Sequence, residues 1–300
     1  MTQEMPPAAT VAPVALPAPR TAGQPSLPRR VVADRNGLIG VVLIGILVLV
    51  ALASLVHLGQ DPLAQHRTGQ LTGPSAAHWL GTDQFGRDIA ARVAAGIFAS
   101  LRVAVASVAI ATVVGGLLGV LSGFAGGVLD AVVGRLTDVL FAFPATLLAL
   151  ALVAALGHGW FNTAVAIAVV YTPIFVRVSR GPVLTVRESE YVKAGQVLGF
   201  SRSRLLFRHV LPNVSAPIAV QVALALSWAI LTEAGLSFLG LGTQPPNPSL
   251  GLMVSDARNF FPDAWWTLLF PALAVVVAVV GLNLLGDGLR NALDPRSVQR

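Results

Sequence analysis

Long apolar segments with almost no charge constrain this chain more than any other feature of its sequence. The first, Leu38–Leu58, is interrupted only by His57 near its end. A helix rises about 1.5 Å per residue, so about 20 such residues cross the ~30 Å hydrocarbon core of a bilayer. Further segments of this kind lie at about residues 100–123, 137–156, 161–180, 214–235 and 265–288. The pattern predicts an all-α, polytopic integral membrane protein with six transmembrane helices.

The composition excludes several other classes of protein. Only 11% of the 300 residues are charged, against roughly 25% in soluble domains. There is no cysteine, which excludes disulfides, thiolate metal sites and cysteine nucleophiles. The single lysine, Lys193, does not follow a glycine-rich loop, so the chain lacks a P-loop nucleotide site. If this protein uses ATP, another chain must bind it.

Proline and charge divide the chain around the spans. Residues 1–37 are predicted to be a disordered tail, because seven of the twenty prolines lie in the first 30 residues and little apolar surface is available for burial. The arginines of this tail follow the prolines, unlike the charges of a signal peptide. Residues 59–99 are too charged for lipid and are predicted to lie outside it. Residues 100–290 form the core with five spans and a basic loop at 181–213, and 291–300 form a second tail.

The basic residues predict the orientation of the chain. With both termini on one side, that side receives fifteen of the twenty lysines and arginines, including those of the 181–213 loop. The positive-inside rule then places the termini and this loop in the cytoplasm and residues 59–99 on the outer side of the cell membrane. The positive charge is therefore explained by topology and does not indicate a nucleic-acid partner.

The 181–213 loop is predicted to form two short helices. Thr185 to Glu188 matches a capping box at the start of the first helix. Gly199 is suited to the left-handed position after its end, and Ser201 to the cap of the second helix. Pro212 is expected to end that second helix, because proline lacks the amide hydrogen.

One face of the first short helix suits contact with another protein. Tyr191, Ala194 and Leu198 share this face at helical spacing. Ala194, Gly195 and Gly199 give the region low relief, so that another backbone can approach closely. These features alone fit a docking element and an ordinary amphipathic connector at the lipid interface equally well.

Four stretches of the sequence resemble a known family. The basic loop contains Glu190-Tyr191-Val192-Lys193-Ala194-Gly195, Gly199 and Leu211-Pro212-Asn213, which resemble the EAA loop of ABC-importer permeases. More narrowly, the chain resembles the C-type subunit of the dipeptide/oligopeptide subfamily. Its other matching stretches are Gly81-Thr82-Asp83-Gln84-Phe85-Gly86-Arg87-Asp88, Arg135-Leu136-Thr137-Asp138 with Ala142-Phe143-Pro144, and residues 233–242 with the prolines that follow. The resemblance covers roughly residues 35–295.

The resemblance implies a fold, a function and partners. The fold is the transmembrane domain of type I ABC importers (MetI-like), and the chain would be a permease subunit without catalytic activity of its own. Its partners would be a second homologous permease, two ATP-binding subunits that hold ATP and Mg²⁺, and an extracytoplasmic solute-binding protein. The implied substrates are di- or oligopeptides, or another small solute such as a nickel chelate or a glutathione-like compound. A proton-coupled carrier is less favoured, because no chain of carboxylates or histidines occurs in the middle of a span.

The resemblance also assigns candidate residues. The ATPase-coupling loop would comprise Glu190, Tyr191, Lys193, Ala194, Gly195, Gly199, Arg204, Leu211 and Pro212. Two of these depart from the family pattern, since Lys193 stands where the triplet has glutamate and Gly195 where it has alanine. The ionic role of that glutamate is therefore not transferred to Lys193.

The remaining polar residues have structural and functional interpretations. Arg135, Asp138 and Glu233 are candidate structural or gating residues near span ends. Arg135 and Asp138 lie one helical turn apart, which favours a structural salt bridge between them. The outer motif is either a self-paired, folded loop or a contact for the solute-binding protein, and its residues are Gly81, Thr82, Asp83, Gly86, Arg87 and Asp88. The small-residue spacing of Gly115, Gly119 and Gly123 favours close helix packing. The scattered histidines predict no metal site.

Overall fold

The computed structural model describes residues 26–55 and 60–294. Within these ranges the chain consists of helices joined by turns and has no β-strand. In chain order the helices are α1 (Leu27–Ala33), α2 (Arg35–Leu55), α3 (Ile89–Ala125), α4 (Gly127–Phe141), α5 (Ala145–Leu156), α6 (Trp160–Arg187), α7 (Glu190–Val197), α8 (Arg202–Leu205), α9 (Leu211–Phe238), α10 (Leu250–Ala257) and α11 (Trp266–Leu293).

The two predicted tails lie largely outside the described residues, which exclude 1–25 and 295–300, as well as 56–59 at the end of the first predicted span. The described part of the first tail differs from the prediction of disorder. Leu27–Ala33 is helical, with Pro28 in the first turn, where proline is well tolerated. Val31 of this helix is buried.

The described residues confirm the helical character of all six predicted spans. Five helices are long and apolar enough to cross a membrane, namely α2, α3, α6, α11 and the stretch Arg202–Phe238 that ends with α9. Helices α4 and α5 meet the same criterion together, but the chain bends by 93° between them. The third span is therefore a broken one.

Pro144 marks the break in the third span, which the sequence predicted as one segment over 137–156. It precedes α5 with extended backbone (ψ 127°), and its ring nitrogen has no hydrogen to continue the ladder of α4. Helix α4, the first part of this broken span, also begins earlier than the predicted residue 137, at Gly127.

The start of α3 corrects the predicted boundary near residue 100. The Asp88 side chain accepts a hydrogen bond from the Ala91 amide at 2.8 Å and caps the helix at Ile89. Arg92 is only 2% exposed and lies 3.4 Å from Asp83, so its charge is compensated within the protein. Residues 89–99 of the predicted outer segment are therefore helical.

Helices α3 and α6 approach closely through the predicted glycines. A Cβ atom at Gly115 would lie 2.5 Å from the carbonyl oxygen of Thr172, and one at Gly119 would overlap that of Val176. The small-residue spacing is confirmed as packing within this chain. A second contact of this kind, which the sequence analysis missed, joins α2 to α11, where Gly288 faces the backbone of Gly37.

Because successive long helices run in opposite directions, the segments that connect them lie at two opposite ends of the bundle. Residues 60–88, the 157–159 turn and residues 239–265 with α10 lie at one end, where α11 begins at Trp266. Helices α7 and α8 lie at the opposite end, where α2 begins and α11 ends. The predicted basic loop thus stands apart from the predicted outer segment.

Candidate functional site: the α7–α8 loop and the cleft behind it

The first short helix of the basic loop begins later than its predicted cap. Thr185 lies inside α6, which continues to Arg187, and Glu188 follows its last turn. The predicted capping box is therefore wrong, because the backbone hydrogen bonds of α6 extend past it. Ser189 instead occupies the N-cap position of α7, with its hydroxyl turned back to the Val186 carbonyl at 2.5 Å.

The turn between α7 and α8 follows the prediction, but the end of α8 does not. Gly199 has a left-handed backbone (φ +77°), and the Ser201 hydroxyl accepts a hydrogen bond from the Arg204 amide at 3.3 Å. Pro212 was predicted to end the second helix, yet it lies in the first turn of α9, a position that proline favours. A π-helical turn, Leu206–Val210, connects α8 to α9 without a break.

Helix α7 has an exposed apolar face and a buried one. Val197 is 88% exposed, Leu198 is 73% exposed, and Tyr191 and Ala194 are also exposed. Gly195 contributes to the opposite face, because a Cβ atom there would lie 2.8 Å from the Leu205 side chain. Of the three small residues predicted to give this region low relief, Gly195 lies on the face that packs against the protein.

The buried face of α7 belongs to a small apolar core at this end of the bundle. Val192 is fully buried in a cluster with residues from α6, the α8 region and α9, namely Val183, Leu205, Leu206, Val210 and Val214. This cluster attaches α7 to the ends of two spans. A displacement of α7 would therefore move α6 and α9 with it.

Lys193 pairs within its own chain. Its Nζ atom lies 3.2 Å from Glu188 Oε2, and Arg187 Nε lies 3.3 Å from Glu188 Oε1. The ammonium of Lys193 holds the pKa of the Glu188 carboxyl below its ordinary value. Glu190 is exposed, and the guanidinium of Arg204 stacks over the Phe200 ring at 5.3 Å.

A cleft of about 590 Å³ opens between α5, α6 and α9. Its walls are apolar apart from Gln221, Thr146 and a hydrogen bond of 2.8 Å between the Tyr171 and Thr232 hydroxyl oxygens. Trp228 on one wall is 61% exposed. Sequence reasoning missed this cleft, because apolar residues on a cleft wall have the same composition as those of any span. The α7–α8 loop joins two of its three helices.

The predicted Arg135–Asp138 salt bridge is wrong. Asp138 accepts a hydrogen bond from Arg177 on α6 at 2.9 Å, whereas Arg135 is exposed. A second pair between the same helices joins Asp130 to Arg180. Both partners come from a helix distant in sequence, so spacing along α4 could not indicate them.

Glu233 holds α9 against α3. The carboxylate is 1% exposed and accepts hydrogen bonds from Ser100 at 2.5 Å and from Ser237 at 2.7 Å. Its described partners are hydroxyl groups rather than a cation. No pattern in the sequence indicates Ser100 as its partner, since the two residues are 133 positions apart.

The outer motif folds on itself, as its self-paired interpretation predicts. Arg87 donates to Asp83 at 2.6 Å, and Asp88 lies 2.9 Å from the His78 ring nitrogen while capping α3. The Thr82 carbonyl accepts a hydrogen bond from Trp266 at 3.2 Å, which fixes the motif to α11. Gly81 and Gly86 have left-handed backbones, with φ +81° and +71°.

Comparisons with known proteins agree on one family. A family model described as "Binding-protein-dependent transport system inner membrane component" matches residues 115–299. The chain is 42% identical over 263 residues to the dipeptide transport system permease protein of Alkalihalophilus pseudofirmus, an alignment covering 88% of this chain and 86% of that protein.

The alignments with two further relatives cover a slightly smaller share of this chain. The chain is 45% identical over 237 residues to a probable D,D-dipeptide transport system permease protein of Escherichia coli K12, covering 79% of this chain and 80% of the relative. It is 44% identical over 224 residues to the glutathione transport system permease protein of Pectobacterium atrosepticum, covering 75% and 74%. The chain therefore belongs to the family of binding-protein-dependent transport system inner membrane components, the permeases of ABC importers.

Proposed function

We propose that this permease imports short peptides as one of two homologous transmembrane subunits, with ATP bound and hydrolysed elsewhere in the complex. The relatives that support a peptide substrate are named for dipeptides, D,D-dipeptides and glutathione. Two ATP-binding subunits would hold ATP and Mg²⁺, since this sequence has no P-loop. A solute-binding protein would deliver the peptide from outside the cell.

One observation carries the coupling role, namely an exposed apolar helix whose buried face packs onto two walls of the cleft. On the outer face of α7, Tyr191, Ala194 and Leu198 would seat in a groove of an ATP-binding subunit. On its inner face, Val192 packs with Val183 of α6 and the residues that lead into α9. Closure of the ATPase pair would then shift α6 and α9 together and change which end of the cleft is open.

The charges of the loop refine this proposal. Because Lys193 is paired with Glu188, the neutralised pair would lie at the edge of the groove rather than supply a free charge to it. Arg202, Arg204 and Arg208 are left to meet acidic groups of the ATP-binding subunit. The termini and α7 would face the cytoplasm, in accordance with the excess of basic residues at that end.

An Ala194→Trp substitution tests the docking of α7. A bulky ring on the exposed face should prevent close seating, so that the ATP-binding subunits are lost during purification of the complex while membrane insertion persists. The matched control is Ala76→Trp, because Ala76 is also exposed but lies at the opposite end of the bundle. Equal retention of the ATP-binding subunits by both variants would contradict the proposed docking surface.

A further inference from the structure

Two ion pairs connect α4 to α6, and they differ in burial. Arg180 binds Asp130 through two hydrogen bonds of 2.5 and 2.7 Å, with side chains that are 38% and 20% exposed. Arg177 binds Asp138 through one hydrogen bond of 2.9 Å, and these side chains are 59% and 63% exposed. The first pair has the geometry of a fixed connection, whereas the second is open to its surroundings.

The open pair lies near the end of the predicted span 161–180, on the side of α7. Arg177 is 17 residues beyond Trp160 on α6, which corresponds to about 25 Å along the helix and falls within a ~30 Å hydrocarbon core. The neighbouring surface of α4 is apolar and exposed at Leu136 and Val139. Exposed charges in contact with lipid tails are strongly unfavourable, so this surface faces a water-filled space or another protein.

The cleft adjoins the pair. Ile174 lines the cleft and lies one turn before Arg177 on the same side of α6. On the other wall, Ala145 lines the cleft just after the bend that follows Phe141, and the Phe141 ring lies 4.1 Å from the Arg177 guanidinium. The Arg177–Asp138 pair therefore lies at the end of the cleft nearest to α7.

The Arg177 guanidinium retains unused binding capacity. Within the described residues it makes a single hydrogen bond, to Asp138, although a guanidinium has five N–H donors. Stacking on Phe141 holds its plane, and a planar fork is suited to bidentate binding of a carboxylate. Among the residues that the structure describes, Asp138 likewise accepts a hydrogen bond through only one of its two carboxylate oxygens.

We propose that Arg177 and Asp138 form a recognition site for the zwitterion of a short peptide. Arg177 binds the C-terminal carboxylate and Asp138 binds the N-terminal ammonium, so that one ion pair of the protein is exchanged for two ion pairs with the peptide. No net charge enters the membrane in this exchange. The Arg180–Asp130 pair keeps α4 attached to α6 while Arg177 and Asp138 separate from each other. The apolar cleft receives the side chains of the peptide. This inference rests on the proposed function.

The test measures ATP-dependent uptake of a labelled dipeptide by the full complex in proteoliposomes. Arg177→Gln and Asp138→Asn should each lower uptake about tenfold, which is the effect of losing one charge-assisted hydrogen bond. The reversed pair, Arg177→Asp with Asp138→Arg, restores the connection between the helices but exchanges the charges offered to the two termini. A peptide bound by this variant must lie in the opposite direction along the cleft, so uptake should stay low. The corresponding reversal of the control pair, Arg180→Asp with Asp130→Arg, should restore the uptake lost in its single variants.

Recovery of uptake by the reversed Arg177–Asp138 pair would overturn the inference, since a purely structural connection tolerates reversal. Peptides with a blocked terminus give a second readout in which the preference of the binding protein cancels, as variants are compared with the wild type for each peptide. The loss caused by Arg177→Gln should disappear with the C-amidated peptide, and the loss caused by Asp138→Asn should disappear with the N-acetylated peptide, because each peptide lacks the charge that the replaced residue would bind. Equal losses for every peptide overturn the inference alone, whereas absent uptake by the wild-type complex overturns the proposed function as well.

Discussion

Gly199 and Gly157 both have a positive φ, +77° and +85°, at opposite ends of the bundle, and no atom lies near the position of a Cβ at either residue. Leucine at either position should reduce the free energy of unfolding by about 1–3 kcal/mol, because a residue with a Cβ is strained at a positive φ. Only Gly199→Leu adds a side chain beside the docking face of α7. We therefore expect it alone to lower the transport rate per ATP hydrolysed, measured in proteoliposomes. An equal loss of coupling in Gly157→Leu would show that strain, rather than position, is responsible.

Asp256 provides a pH dependence at the outer end of the bundle. Burial raises the pKa of this carboxyl above its ordinary value of 3.8, and the nearby Arg92 and Arg87 only partly oppose the effect. The pKa of Asp256 is therefore higher in the folded protein than in the unfolded one, so that deprotonation of this carboxyl destabilises the fold. The free energy of unfolding falls as the pH rises from the unfolded-state pKa through the folded-state pKa. Asp256→Asn should therefore gain thermal stability relative to the wild type as the pH is raised above 3.8. A relative loss over that range would contradict this sign.

The roles of some single residues could be predicted from their local chemistry, whereas those of others could not. The left-handed Gly199 and the capping Ser201 follow from the conformational preferences of glycine and serine next to short helices. The partner of Asp138 lies 39 residues away, and its identity depends on how α4 packs against α6. Sequence spacing favoured Arg135 because it describes only neighbours on one helix.

At the scale of helices, close packing of α3 on α6 depends on glycine where the two backbones meet. Gly119→Ala places a methyl group against the Val176 carbonyl and should reduce the free energy of unfolding by about 1–3 kcal/mol, the usual effect of overpacking. Gly134 is a helical glycine of α4 with open space around it, so Gly134→Ala should increase stability by about 0.5–1 kcal/mol. Unfolding of both variants in detergent measures the difference. A stabilised Gly119→Ala protein would contradict the close contact.

Helix boundaries were predictable only where apolar composition determines them. Charge in residues 83–92 predicted a segment outside lipid, but Asp88 caps α3 and Asp83 neutralises Arg92, so the helix begins within it. Pro144 lay inside a predicted span, and its sequence position could not distinguish a kink from the observed bend of 93°. Such boundaries depend on tertiary contacts that a single helix does not encode.

For the whole molecule, the proposed orientation in the membrane rests on the distribution of basic residues and has a direct test. The chain has no cysteine, so single cysteines report their own accessibility. Ala76 and Ser203 are exposed at opposite ends of the bundle. A membrane-impermeant maleimide should label Ala76→Cys in intact cells and Ser203→Cys only after permeabilisation. The reverse pattern would invert the proposed topology.

The number of spans and the family were accessible from sequence because apolar length and ordered motifs determine them. The cleft between α5, α6 and α9 was not, since Trp228 and Leu231 on its walls resemble residues that face lipid. The proposed role of α7 as a connection between the cleft and a partner depends on which of its faces is buried. That distinction required the packing of Val192 and Gly195 against their neighbours.

The central claim, that ATP hydrolysed by partner subunits drives peptide import through this permease, is tested most directly by reconstitution. The full complex and its binding protein are placed in proteoliposomes with a labelled dipeptide, with and without ATP, and with the proton gradient abolished by an ionophore. We expect accumulation against the peptide gradient only with ATP, at a rate that the ionophore leaves unchanged. Accumulation that proceeds without ATP and stops when the proton gradient collapses would contradict the account.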